Sequence, residues 1–274
     1  MKNIDIHTHG LGRYDTRTGK PEHVLKMAEL HGKAGTAVII PTVYPGSINK
    51  MRSDIRAIAE AMETRPAKGS ARVLGAHLEG PFLNPSRCGA LDSGSFLEPT
   101  IQAFNQLIAD YEKTIKVITI APELKGADKV IEKAASMGMV VSMGHSDATY
   151  AEALKGKEAG AVSVTHLFNA MRPMHHREPG LAGLALMDDD IYVELICDGI
   201  HVSAEMLMLV LKTKPRERII AVSDSIKGPM RIDDVLQGGH GPLSSSIDVL
   251  KGLGLSSQGI NMLLSKNAGR LFWI

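Results

Sequence analysis

Short apolar runs rich in Val and Ile alternate along this chain with stretches whose apolar positions recur every three or four residues. Runs at 4–7, 36–42, 72–79, 115–120, 140–145, 162–167, 191–197 and 219–224 predict strands. Segments 20–32, 48–64, 99–111, 127–137, 150–159, 204–212 and 257–272 predict helices. Pro99 falls at a favourable early helical position, and Gly160 closes the fifth helix. After the sixth strand the alternation falters, and residues 168–183 read as a long loop. Residues 238–246, rich in Gly and Ser, read as a surface loop. Eight strand-then-helix units in 274 residues predict an α/β fold, a (β/α)8 TIM-type barrel, which typically takes about 250 residues. An open doubly wound sheet shares the alternation, but no Gly-rich dinucleotide fingerprint follows the first strand. With no repeat and no linker, residues 1–274 read as one barrel domain.

Composition narrows the class. A hydrophobic share of 44% with 22% charged residues is that of a soluble globular protein with a large core. The net charge of +1, without a basic block, argues against nucleic-acid binding. No apolar run approaches the roughly 20 residues of a membrane span. The N-terminus reads as too short and polar for a signal peptide. Two cysteines, Cys88 and Cys197, suit a reducing compartment, so the expected location is cytoplasmic. The fourteen methionines read as plastic core filling.

The candidate chemistry lies at the strand ends, where barrel enzymes gather their reactive groups. His7 and His9 end the first run, and side chains at i and i+2 leave an extended strand on the same face. Glu79 ends the third, His145 the fifth and Asp224 the eighth, while His166 lies in the sixth. Each alone also reads as a satisfied core histidine or a capping carboxylate. Six at matching ends of parallel strands imply a compensating ion, because buried unpaired ionisable groups cost several kcal/mol. Four histidines and two carboxylates without cysteine suit Zn²⁺, Fe²⁺, Co²⁺ or Mn²⁺ and do not suit Ca²⁺. Glu79, His145 and His166 can hold one ion, and His7 with His9 a second. His77 shares a strand face with Glu79 and can support the ligands from behind. His175 and His176 read as solvated loop residues.

The motifs around these residues, HxH, HLEGPF, GHSDATY, THLFNAM, REPG, DGIHV and SDS, resemble those of the N-acetylglucosamine-6-phosphate deacetylase family of the amidohydrolase superfamily. The resemblance runs in order from about Ile4 to Asp224. It implies a metal-dependent enzyme carrying one or two divalent ions, zinc or iron. By this resemblance Glu79, His145 and His166 match the main metal ligands, His7 and His9 the second-metal ligands, and Asp224 the catalytic carboxylate. Asn169, Ala170 and His201 match residues that hold the phosphosugar. Arg177 matches an arginine that reaches the phosphate of a neighbouring subunit, which implies a homodimer. Residue-level alternatives stay open: Arg177 in a surface ion pair, and His201 capping the next helix. The implied reaction converts N-acetylglucosamine 6-phosphate to glucosamine 6-phosphate and acetate. Hydroxide formed at the metal attacks, and Asp224 acts as general base and then acid.

Three departures from the family stand out. The chain has no room for the family's β-sandwich domain, so a bare barrel is expected, whose uncovered apolar surface a partner subunit would cover. Leu91 stands where the family carries a histidine or glutamine that contacts the substrate carbonyl. Leucine cannot donate a hydrogen bond, which could cost a factor of about 10² in rate. The segment from Asp224 to Leu255 is short. Two alternatives follow: hydrolysis of a different small-molecule amide, and a non-catalytic, metal-bearing sugar-phosphate binder.

Overall fold

The computed structural model describes residues 2–232 and 234–274. Among these residues eight parallel strands follow one another round a ring: β1 (Asn3–Thr8), β2 (Thr36–Val43), β3 (Ala76–Glu79), β4 (Ile115–Ile120), β5 (Val140–Met143), β6 (Ser163–Val164), β7 (Tyr192–Ile196) and β8 (Ile219–Val222). Each pairs in parallel with the next. The ring closes just past β8, where Asp224 N donates to His7 O at 2.9 Å and Ser225 bridges Thr8 in parallel. This is the (β/α)8 barrel that the alternation predicts.

Strand periodicity sorts the side chains into two cores. Ile6, Ile40, Val117, Ile196, Ile220 and Val222 come from five strands around the ring yet form one cluster, which only the barrel interior allows. Their alternating neighbours, such as Ile118, Leu195 and Ala221, face the helices in the larger cluster. Towards the C-terminal rim the interior turns polar. His77 Nε2 lies 2.8 Å from Thr119 Oγ1, which lies 2.8 Å from Thr165 Oγ1, itself 2.7 Å from Ser142 Oγ. These contacts satisfy buried polar groups that would otherwise cost about 1–3 kcal/mol each.

The outer helices are α1 (Pro21–Lys33), α2 (Ile48–Glu63), α3 (Ile101–Ile108), α4 (Ala127–Ser136), α5 (Tyr150–Glu158), α6 (Gly180–Met187), α7 (Ala204–Thr213) and α8 (Ser246–Gly252), followed by α9 (Ser257–Asn261). A π-helical turn at Met262–Lys266 joins α9 to α10 (Asn267–Phe272). Among the described residues no helix is long and apolar enough to cross a membrane.

Several elements depart from the sequence reading. The run 72–79 splits, because Gly75 lies against the next strand: a Cβ there would meet Thr114 O at 2.5 Å. Pro99 precedes α3 instead of opening it. The cap is Thr100, whose hydroxyl accepts from Ala103 N. Helix α6 lies within and beyond the expected loop 168–183. Its residues Gly180–Leu186 are all buried, so it carries no polar face to betray its period. The segment 238–246 is no surface loop throughout. Gly238 and Gly239 are buried beside β8, and a Cβ on Gly239 would lie 2.0 Å from Ser223 O.

On the outer side of β1, His31 of α1 is fully buried, with Nε2 3.0 Å from Thr8 Oγ1. Burial pushes its pKa from the usual 6.5 down to about 4. Between those values the unfolded chain binds more protons than the folded one. Stability is therefore full above pH about 6.5 and is lost as pH falls through about 4, by up to roughly 3 kcal/mol. The neighbouring Asp5 carboxyl, raised by burial to about 6, contributes the opposite slope over much of this window, so the His31 share is the difference between native protein and His31→Gln in urea titrations from pH 7 to 4; equal slopes in the two would contradict a neutral buried imidazole.

Candidate metal centre

The rim of the barrel is built by residues that leave their strands early. His145, His166 and Asp224 follow β5, β6 and β8 with φ of 47°, 27° and 46°. Such left-handed backbone costs about 1–3 kcal/mol per residue and persists only where neighbours enforce it. Here they do. Asp224 N donates to His7 O, Asn84 N donates to His145 O at 3.0 Å, and Leu167 N donates to Glu194 O at 2.8 Å. The turn also ends β6 after two residues, although the apolar pattern predicts six. His9 follows β1 directly and stacks on Tyr44, with ring centroids 3.9 Å apart.

All six predicted residues meet. The ligand atoms of His7, His9 and Asp224 lie within 4.8 Å of one another, as do those of Glu79, His145 and His166, and all six are buried. In the second group Glu79 Oε1 is 3.1 Å from His145 Nε2 and 3.0 Å from His166 Nε2, and the two nitrogens are 3.2 Å apart. In the first group His7 Nε2 is 3.3 Å from His9 Nε2 and 3.4 Å from Asp224 Oδ1. Glu79 joins the groups, with Oε2 3.2 Å from His9 Nε2. Ligands about 2.1 Å from one ion at angles of 90–110° stand roughly 3.0–3.4 Å apart, so these spacings fit coordination edges.

The tautomers favour the same use. His7 gives Nδ1–H to Glu194 Oε2 at 2.9 Å, and His145 gives Nδ1–H to Arg87 O at 3.0 Å. Each Nε2 thereby faces inward, free to give its lone pair to a cation that displaces the proton. The edge of His77 packs on His7, with centroids 4.5 Å apart. Burial opposes charge on His7, but Asp224, Glu194 and Glu79 hold its imidazolium well above the usual range. Burial likewise opposes charge on Glu79, yet His145, His166 and His7 hold its carboxyl well below the usual range. The carboxylates thus demand positive charge at the point where the imidazole nitrogens face one another. A divalent cation meets that demand, and the donor set fits one.

A cavity of about 210 Å³ opens over this centre. Asn169, Ala170, His201 and Leu91 line it; Arg177 does not. His201 does not cap α7, whose cap is Ser203. Instead Asp198 accepts from His201 Nδ1 at 2.7 Å, and His201 Nε2 is buried without a partner. Arg177 stands exposed, Nη1 2.8 Å from His176 Nε2.

Four supporting residues escape the sequence reading. Glu194, Asp198 and Tyr44 are three. The fourth is Glu123, which accepts from Ser146 Oγ, Asp147 N and Asn84 Nδ2 at 2.6–2.8 Å and so fixes the loop carrying His145. Only Glu194 left a signal, a lone charge in the middle of an apolar strand.

No family model matches the chain. The N-acetylgalactosamine-6-phosphate deacetylase of Escherichia coli O157:H7 is 34% identical over 224 residues, 82% of this chain and 59% of that protein. The N-acetylglucosamine-6-phosphate deacetylase of Bacillus subtilis is 34% identical over 241 residues, 86% of this chain and 60% of its own length. The crystal structure of N-acetylglucosamine-6-phosphate deacetylase from Thermotoga maritima superposes with a TM-score of 0.89 at 28% identity, covering 99% of this chain and 78% of that one. The chain thus spans about 60% of the length of the curated relatives that it matches.

Glu194→Gln should lower affinity for Zn²⁺ by about 10–100-fold in a chelator competition, because His7 loses its charged acceptor. Unchanged affinity would separate His7 from the ion.

Proposed function

The chain is related by sequence and fold to the N-acetylglucosamine-6-phosphate deacetylases, and on that premise we propose that it hydrolyses the amide of an N-acetylated amino-sugar phosphate. N-acetylglucosamine 6-phosphate is the first candidate, giving glucosamine 6-phosphate and acetate. The observation that carries the reading is the meeting of Glu79, His145, His166, His7, His9 and Asp224 beneath one cavity.

Glu79, His145 and His166 would hold one divalent transition ion, zinc or iron, and His7 and His9 with Asp224 a second. Such an ion supplies Lewis acidity towards a carbonyl oxygen and towards water. The remaining work falls to the chain. Asn169 and the backbone at Ala170 orient the sugar, and His201, with Nδ1 tied to Asp198, turns Nε2 to a sugar hydroxyl. Asp224 stands at the rim, 8% exposed, close enough to solvent to take a proton from the attacking water. The same carboxyl then delivers that proton to the departing amine nitrogen. The expected setting is a cytoplasmic homodimer in which Arg177 reaches the phosphate held by the neighbouring copy.

Asp224→Asn should cut the release of glucosamine 6-phosphate by about 10²–10⁴-fold while phosphosugar binding persists. Undiminished turnover would remove Asp224 from the reaction. Arg177→Ala should raise KM for the phosphorylated substrate roughly tenfold or more at similar kcat; an unaltered KM would leave Arg177 as ordinary surface.

A further inference from the structure

The cavity over the metal centre does not end at Tyr44. A second cavity of about 130 Å³ shares Tyr44, Ala90, Leu91, Ile226 and Gln237 with it and adds Pro45, Arg17 and Asp92. This extension includes none of Asn169, Ala170 and His201, so it opens away from the sugar-facing side. Its walls are firm. The Tyr44 ring is held between His9, 3.9 Å away by centroid, and the Arg17 guanidinium, 3.9 Å from the ring. Leu91 sits on a turn fixed by its own N–H to Cys88 O at 3.0 Å. The Tyr44 hydroxyl is buried without a partner. At about 30 Å³ per water, the extension has room for roughly four heavy atoms.

A sugar held at Asn169 and His201 with its amide over the metal centre would turn its acyl group towards the shared wall of Tyr44, Leu91 and Ile226. The methyl of an acetyl group cannot fill that volume. We propose that this extension is an acyl subsite, and that the chain accepts N-acyl groups of three or four carbons on the amino-sugar phosphate. The inference rests on the amide-hydrolysis reading above. In the step itself the C–N bond breaks and the water oxygen joins the acyl carbon. A propionate or butyrate leaves as carboxylate, and the amine departs with the proton.

The test compares kcat/KM for the N-acetyl, N-propionyl and N-butyryl derivatives of glucosamine 6-phosphate, in the native protein and in Ile226→Trp. Against an apolar wall one methylene is worth roughly 10–200-fold, and here Tyr44, Pro45, Ala90, Leu91 and Ile226 supply that wall, with Arg17, Asp92 and Gln237 as the polar remainder. The expected result is N-butyryl within tenfold of N-acetyl or above it, and a fall in that ratio of at least tenfold in Ile226→Trp. Leu91→Phe fills the same space, should Ile226→Trp not fold. A native preference for N-acetyl greater than tenfold, or a ratio that neither variant moves, would overturn the subsite and leave the deacetylase reading intact. Failure to hydrolyse any of the three derivatives would overturn both.

Discussion

One carboxylate links the two halves of the rim. Glu79 places Oε1 against His145 and His166, and Oε2 against His9. A buried carboxylate is tolerated only when compensated, and Glu79 is compensated entirely by imidazole nitrogens that each need a partner themselves. The six groups are therefore a unit. Removing one leaves several others uncompensated, and their ring-wide distribution ties strands β1, β3, β5, β6 and β8 together at the top of the barrel.

Below that rim the barrel is arranged to keep the unit in place. The lower interior is packed with Ile6, Ile40, Val117, Ile196, Ile220 and Val222, side chains that offer an imidazole no hydrogen bond. Above it the His77–Thr119–Thr165–Ser142 chain satisfies its own members and presses His77 against His7. Backbone strain at His145, His166 and Asp224 sits where the six groups converge, and the neighbouring strands offset it.

Much of this was legible along the chain. The eight apolar runs and most helices follow from periodicity, since each strand buries one face inside the ring and one under a helix. The ligand-type residues were legible because each lies at or beside the end of such a run. Other features were not. Helix α6 has no polar face, so its period is silent. The brevity of β6 depends on the turn at His166, which no local propensity announces. Glu123 and Asp198 act on loops through bonds that only the folded path creates, and Tyr44 gains its place from a stack between His9 and Arg17. An acid in a loop or an aromatic after a strand looks the same whether or not it supports a site.

The short loop bearing Arg177 carries one more consequence. His175 and Glu178 pair across it in antiparallel fashion, and the Glu178 carboxylate accepts from Tyr150 N at 2.7 Å and Gly180 N at 3.1 Å. His176 and Arg177 form the tip of a tongue anchored at its root to the starts of two helices. Ordering a backbone residue costs about 1–2 kcal/mol, and in this tongue that ordering is complete before anything arrives. The guanidinium is an outward-pointing cation on a stiff mount, so an anion that meets it has only side-chain rotamers left to freeze.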